Sequence, residues 1–403
     1  MDSPKIDTNI ENPSMFKKIN NIILSGGASD ISFQLWIGGF IALIIVYFSS
    51  LFIGYMNKKR TNWNRMKDRC SRDGSVTAIG NSATDVVQDR LVNYYVKTAY
   101  NCCSTGNFKN DYVDERGLEC AIKKGYRCLD FQIYSLDGIP VIATSSDDSV
   151  FMKETFNSIP LSKAMDIVDK KANNPDDCPN HTDPLFLHFR VMSDNEETYD
   201  AMGKILLNKL GTKIWNKPDN YGLNDVIEQP LSTLNQKIII MIDGINGLST
   251  PHYKGTLLEP LVHMSSEKKG LYEKTDIQLS QDVNQGDLLR YNMINMTFCK
   301  PGLNNLNTNI EIAKHKAAGT QFIAMNLSNN DGNLKIYEND MFSTKAFKKK
   351  DPEIILNEKV ITYTKPSGRP LSEPYKVPPG TSDIVAETLG KFGSGYGESA
   401  NSD

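Results

Sequence analysis

Five histidines, His181, His188, His252, His263 and His315, are the side chains of this chain whose ordinary titration falls near neutrality. One stands out by its neighbour. In the run LFLHFRV, His188 lies two residues before Arg190, so on a strand both side chains share one face. A proton carrier beside a fixed cation could serve phosphate chemistry. One inward histidine is not an acid–base pair, however, and the plainer reading is a hydrogen-bonded interior residue. The seven cysteines are odd in number and form no C-x-x-C pair. A disulfide framework or zinc site is therefore not expected, and reduced thiols are. With 39% hydrophobic and 23% charged residues the chain can build a core, and its net charge of −3 gives no sign of a nucleic-acid partner.

The elements that must position these residues follow from patterning. Residues 1–34 form a polar N-terminal segment. From Leu35 to Tyr55 no charge interrupts the run LWIGGFIALIIVYFSSLFIGY. About 20 apolar residues suffice to span a bilayer, so residues 35–55 are expected to be a single transmembrane helix. Trp36 and Tyr55 stand where aromatic rings prefer the interface. Lys58, Lys59, Arg60, Arg65, Lys67, Arg69 and Arg72 crowd its C-terminal side, against Lys17 and Lys18 on the other. The positive-inside rule then puts the large C-terminal part in the cytosol, with the basic cluster against anionic headgroups. The sequons at Asn180, Asn295 and Asn326 would be unglycosylated chance matches. Residues 56–87 read as a basic juxtamembrane segment and polar linker.

From residue 88 to 366 short β-rich runs (RCLDFQIYS, IPVIAT, LFLHFRV, KIIIMID, QFIAMNL) alternate with helical stretches such as ERGLECAIKKG and EETYDAMGKILLNKLG. Such alternation predicts an α/β fold with parallel strands, and the length suits a TIM-type (β/α) barrel. Residues 367–403, rich in Pro, Gly and Ser, are expected to be a disordered tail.

Five segments, in order, resemble the catalytic barrel of eukaryotic phosphoinositide-specific phospholipase C, across its X and Y halves. Asn93 to Asn107 is similar to the family's first strand and loop. Lys123 to Ile142 resembles its second strand and hairpin partner, and Asp183 to Trp215 its third strand and following helix. Leu231 to Asp243 resembles the strand that normally grips substrate phosphate with two lysines. Gly319 to Phe342 resembles the end of the Y half. The resemblance implies the phospholipase C-like barrel fold. It also implies where a calcium-assisted phosphodiesterase site would lie, with two histidines for proton transfer and oxygen ligands for the metal.

Carried over residue by residue, that site is altered. The two family histidines fall on Tyr100 and Thr144. Asn101 survives as a calcium ligand, but the Glu-x-Asp pair becomes Asp130 and Gln132, and the third-strand glutamate becomes Arg190. The two lysines become Met241 and Asp243, and the Arg-x-Tyr substrate pair becomes Met296 and Phe298. Tyrosine titrates near 10 and threonine not at all, so neither replaces a histidine. Losing general acid–base steps costs about 10²–10⁴-fold each. Arg190 adds repulsion where a cation would sit.

The resemblance therefore implies a membrane-anchored pseudoenzyme with calcium lost and no cofactor. Its pocket residues would be Asn101, Asp130, Gln132, His188, Arg190, Met241, Asp243, Met296 and Phe298. Arg190, Asp130 and Asp243 are expected to replace the metal by an ion-pair network. The expected partners are the lipid bilayer and a phosphoinositide headgroup, a phosphorylated ligand or a protein. Two alternatives stand beside this. One is a calcium-independent phosphodiesterase using Arg190 as cation and His188 as proton carrier. The other is a structural membrane protein with the barrel as scaffold.

Overall fold

The computed structural model describes residues 28–71, 76–80, 88–146, 152–216, 222, 225–243, 252–266, 270–281, 283–302 and 308–356. The expected disordered tail and most of the polar N-terminal segment lie outside them. The chain divides into two units, residues 1–58 and 59–403.

In the first unit the apolar run is helical, as part of α1 (Ala28–Cys70). Its side chains are exposed, Trp36 by 79% and Leu35 by 72%, so it is no core helix of the folded chain. The helix is long and apolar enough to cross a membrane.

α1 does not end with its apolar run. It continues to Cys70, so residues 61–70, expected as linker, are helical and belong to the second unit. Asn62, Met66 and Cys70 are buried there, as are Val76, Ala78 and Ile79 further on. The sequence hides this because these small or apolar residues are scattered among charges, and only contacts made by the barrel bury them. Cys70 is moreover disulfide-bonded to Cys120, with Cα atoms 5.1 Å apart. This corrects the expectation of reduced thiols throughout: the two cysteines lie 50 residues apart, and the fold rather than their spacing brings them together. Cys102, Cys103, Cys128, Cys178 and Cys299 are free and buried.

The second unit is built on strands β1 (Tyr94–Ala99), β2 (Cys128–Leu136), β3 (Ile139–Ile142), β4 (Ile159–Pro160), β5 (Leu185–Met192), β6 (Ile238–Asp243), β7 (Met264–Ser265), β8 (Leu271–Thr275), β9 (Met296–Lys300), β10 (Phe322–Met325) and β11 (Phe347–Lys349). Eight of them run parallel in the order β7-β6-β5-β2-β1-β10-β9-β8 and make a nearly closed barrel. β3 and β4 extend β2 as a meander, and β11 lies antiparallel on β1. The β2–β3 turn is Asp137-Gly138, both at positive φ, which matches the twist of a two-residue hairpin. Helices α2 (Glu115–Lys123), α3 (Leu161–Lys171) and α4 (Glu196–Leu210) pack outside. Asp114 and Asn195 cap α2 and α4 by accepting backbone N–H bonds.

Strands covered on both faces read as near-continuous apolar runs, and β5 is buried at every position. Alternate residues nevertheless serve different layers. Leu185, Leu187, Phe189 and Val191 join the core under the helices, as do Leu129, Phe131 and Ile133 of β2. Cys128, Phe186, Ile239, Met241, Met296, Phe298, Phe322 and Ala324 fill a second cluster inside the barrel. Its rings meet closely: Phe186 and Phe322 at 5.4 Å, Phe298 and Phe322 at 5.9 Å. Above this layer the same strand faces turn polar.

Candidate functional site

Above the apolar layer the inward positions are Asp130 of β2, His188 and Arg190 of β5, Asp243 of β6, Glu273 of β8 and Lys300 of β9, with Asp243 and Lys300 the last residues of their strands. Register explains the meeting. Asp130 pairs with His188, and Arg190 with both Gln132 and Asp243. Glu273 pairs with Phe298, two residues before Lys300. Neighbouring residues in register point the same way, so the carboxylates and cations converge.

Asp130 is the hub. Its Oδ1 accepts from Arg190 Nε at 3.0 Å and lies 2.8 Å from His188 Nδ1. Its Oδ2 accepts from Arg190 Nη2 at 3.0 Å and from the Asn101 backbone N–H at 2.9 Å. Asn101, held at φ 43° just after β1, also accepts from Arg190 Nη2 at 2.7 Å. The guanidinium lies 4.5 Å above the Tyr100 ring. Such forked pairing is what lets an arginine be 1% exposed.

His188 is held from both sides. Nδ1 faces Asp130, Nε2 lies 3.1 Å from Glu273 Oε2, and the ring stacks on Phe298 at 4.1 Å. Burial alone would push the imidazole pKa down. Glu273 and Asp130 outweigh burial and raise it to about 9. Burial likewise works against the Asp130 carboxylate, but Arg190 and His188 bring it down to about 2. Glu273 is also held low, against burial, by Lys300 at 3.0 Å and by His188. At neutral pH His188 is therefore an imidazolium donating both N–H groups to carboxylates.

Asp243 differs. It accepts from Ser266 Oγ at 2.6 Å and lies 3.8 Å from Lys300. Burial first and the Glu273 charge second raise its pKa to about 7, despite Lys300. Its carboxyl group therefore keeps its proton to a higher pH than those of Asp130 and Glu273.

The structure brings together Tyr100, Asn101, Asp130, His188, Arg190 and Phe298, with Asp243 joining through Lys300. It sets Thr144 apart: its hydroxyl donates to the Phe108 carbonyl at 2.9 Å. Gln132 accepts from the Ser145 backbone N–H at 3.0 Å. Met241 and Met296 lie in the apolar layer below. The expected network of Arg190, Asp130 and Asp243 is extended: Arg190 pairs with Asp130, and Asp243 is linked to that pair through Lys300, Glu273 and His188. Sequence reasoning missed Glu273 and Lys300. Lys300 was within reach, since it follows Phe298 at spacing two on one strand. Glu273 had no such signal, because LYEKT carries charges on both faces. Among the described residues, no group of three or more His, Cys, Asp or Glu side chains has metal-ligand geometry.

No family model matches the sequence, and no curated protein is significantly similar to it. Solved structures do match. PLC21 of L. pealei superposes with a TM-score of 0.52 at 16% identity, over 66% of this chain and 38% of that one. PLC21 of S. officinalis gives 0.51 at 16% identity over the same shares. A calcium-dependent phosphoinositol-specific phospholipase C from Pseudomonas sp covers 66% of this chain at 9% identity, with a TM-score of 0.39. The chain spans well under half the length of the two PLC21 proteins. Identity this low speaks to fold and leaves function to the site. The fold is that of the phospholipase C-like (β/α) barrel.

Proposed function

We propose that this chain is a membrane-anchored, cytosol-facing barrel that binds a ligand at its mouth without cleaving it. The observation that carries this is His188, closed between Asp130 and Glu273 at both ring nitrogens. A general base needs a free lone pair, and this imidazolium has none. A general acid must give its proton to substrate, and two carboxylates oppose that. Tyr100 and Thr144 stand where the resemblance would put the histidines, and neither shuttles protons near pH 7.

The donor set does not fit calcium. Asp130 and Asn101 turn their oxygens to the Arg190 guanidinium, which fills the place a cation would take. The ligand class we favour is an anionic headgroup or phosphorylated ligand, with a protein partner as the other form of the same binding role. Arg190 and Lys300 supply cations that such a group could share with Asp130 and Glu273.

Membrane attachment rests on the exposed apolar helix, and the cytosolic side on the basic cluster after it. Burial of the sequons supports the same side. Asn180 is 0% exposed and its side-chain amide donates to Gly125 and Asp183; Asn326 is 1% exposed and Asn295 7%. A glycan on any of them would be incompatible with the fold.

The test combines binding and turnover. The full chain in nanodiscs should bind vesicles carrying phosphatidylinositol or its phosphates more tightly than phosphatidylcholine vesicles, and release no inositol phosphate. Binding lost in Arg190→Ala would support the reading. Turnover abolished by His188→Ala or Arg190→Ala would sink it. Turnover abolished by Asp243→Asn would favour the second reading, a calcium-independent phosphodiesterase. That reading uses Arg190 as cation and His188 as proton carrier, and Asp243, whose pKa burial and the Glu273 charge raise, lies beside them as a further proton carrier.

A further inference from the structure

The Cys70–Cys120 bond has no part in the barrel mouth, yet it lies at a junction. Cys70 is the last residue of α1, and Cys120 lies in α2. Both belong to the core cluster that holds Cys102, Cys103, Val113 and Leu118. The last three turns of α1 grip the loop between β1 and α2 at several points. Asn62 donates to Asp111 Oδ1 at 2.7 Å, and Asp111 Oδ2 accepts from the Asn107 backbone. Lys59 lies 3.6 Å from Asp114, and Arg116 stacks over Trp63 at 4.7 Å. Gly106 fits so closely under Asn62 that an added Cβ would fall 2.4 Å from its amide nitrogen. This loop begins at Asn101, whose backbone and side chain hold Asp130 and Arg190 in place.

We propose that Cys70 and Cys120 form a redox latch. Oxidised, they pin the end of the membrane helix to α2; reduced, they release it and loosen the loop from Asn101 to Asp114. Two observations point to a reversible bond rather than a permanent staple. On the cytosolic placement proposed above, which the buried sequons and the basic flank support, the bond lies where disulfides are transient and regulatory rather than structural. The bond also sits at a helix terminus, where opening is easiest. Cys70 is 6% exposed and Cys120 2%, so a reductant reaches the bond only when that last turn frays. The step balances with a cellular dithiol. Its thiolate attacks one sulfur and forms a mixed disulfide, and its second thiol closes the reductant's own disulfide. The Sγ–Sγ bond breaks, two electrons pass to Cys70 and Cys120, and each takes up one of the reductant's two protons.

The bond itself does not depend on what the mouth binds; its reversibility rests on the cytosolic placement proposed above, and its effect on binding on the functional reading. The experiment uses the full chain in detergent, equilibrated in buffers of oxidised and reduced dithiothreitol. Cysteine alkylation is mapped by mass spectrometry, and hydrogen exchange is followed along the chain. Cys70 and Cys120 should convert together from protected to alkylated, while residues 101–114 exchange roughly tenfold faster and β5 and β6 stay unchanged. Cys70→Ser and Cys120→Ser should each show the fast exchange in both buffers. Should either variant fail to fold, the reduced and alkylated wild-type chain provides the same comparison. Equal alkylation in both buffers, or exchange of residues 101–114 that ignores the redox state, overturns the latch. So does a bond that stays fully oxidised when thiols are trapped in intact, reductant-treated cells. Ligand binding enters none of these readouts, so a failed functional reading leaves the test standing.

Discussion

The barrel interior has two layers that differ by two residues along the same strands. On β5, Phe186 belongs to the lower layer, His188 and Arg190 to the upper. The lower layer is rings and methionines in apolar contact. The upper layer is ions whose desolvation is offset chiefly by one another, with Asn101, Tyr100 and Ser266 adding hydrogen bonds and a ring contact. The lower layer tolerates imperfect geometry, because dispersion and burial are non-directional. The upper layer does not, because a buried ion that loses its partner is left uncompensated. The difference teaches that packing is the stabilising layer and the ion cluster the specifying one.

The comparison breaks most directly at its lower layer. Phe186→Ala should cost about 3–5 kcal/mol of unfolding free energy, the usual range for a buried aromatic. Denaturant titration of the chain in detergent checks this, and a cost below about 1 kcal/mol would mean the layer collapses around the gap.

Arg190→Ala should cost about 3 kcal/mol, because it strands Asp130 at 0% exposure. Adding Asp130→Leu to Arg190→Met should recover most of that loss, since replacing both ions restores balance. Failure of the pair to recover would show that the bonds from Asn101 and His188 to Asp130 carry much of the loss.

The ion layer should also respond to pH. His188 has a folded pKa of about 9 against an ordinary 6.5, so its contribution is complete below pH 6.5 and lost as pH rises through 9. Asp130, lowered from 3.8 to about 2, contributes above pH 3.8 and loses that contribution as pH falls toward 2. Asp243, raised from 3.8 to about 7, favours folding below 3.8 and loses that advantage between there and 7. Stability should therefore fall by on the order of 2–3 kcal/mol between pH 6.5 and 9. Midpoints that stay flat in that window, or a slope that survives His188→Gln, would show the histidine is not the charged group.

The smallest effect lies on the outside. Lys213 and Asp169 pair at 2.6 Å but are 34% and 38% exposed. Lys213→Ala should cost at most about 1 kcal/mol. A cost equal to that of Arg190→Ala would erase the distinction between buried and exposed ions.

Much of the fold was legible because local patterns carry it. The runs RCLDFQIYS, LFLHFRV and KIIIMID become β2, β5 and β6, and EETYDAMGKILLNKLG becomes α4. The apolar stretch without a charge is a helix long enough to cross a membrane, as its length and composition indicated. Spacing two alone puts His188 and Arg190 on one face. These are one-dimensional facts, set by the periods of helix and strand.

Tertiary structure alone decided the partners. That Asp130 grips Arg190, that Glu273 closes His188 from the far side of the barrel, and that Asp243 turns to Ser266 are outcomes of how the strands meet, between residues up to 85 positions apart. The same holds for Cys70 and Cys120, and for a helix that reads as linker after Arg60 until the barrel buries its Asn62, Met66 and Cys70. Residue type fixes what a side chain can do. Its ionisation depends on burial and neighbouring charge, and those exist only once the chain has closed on itself.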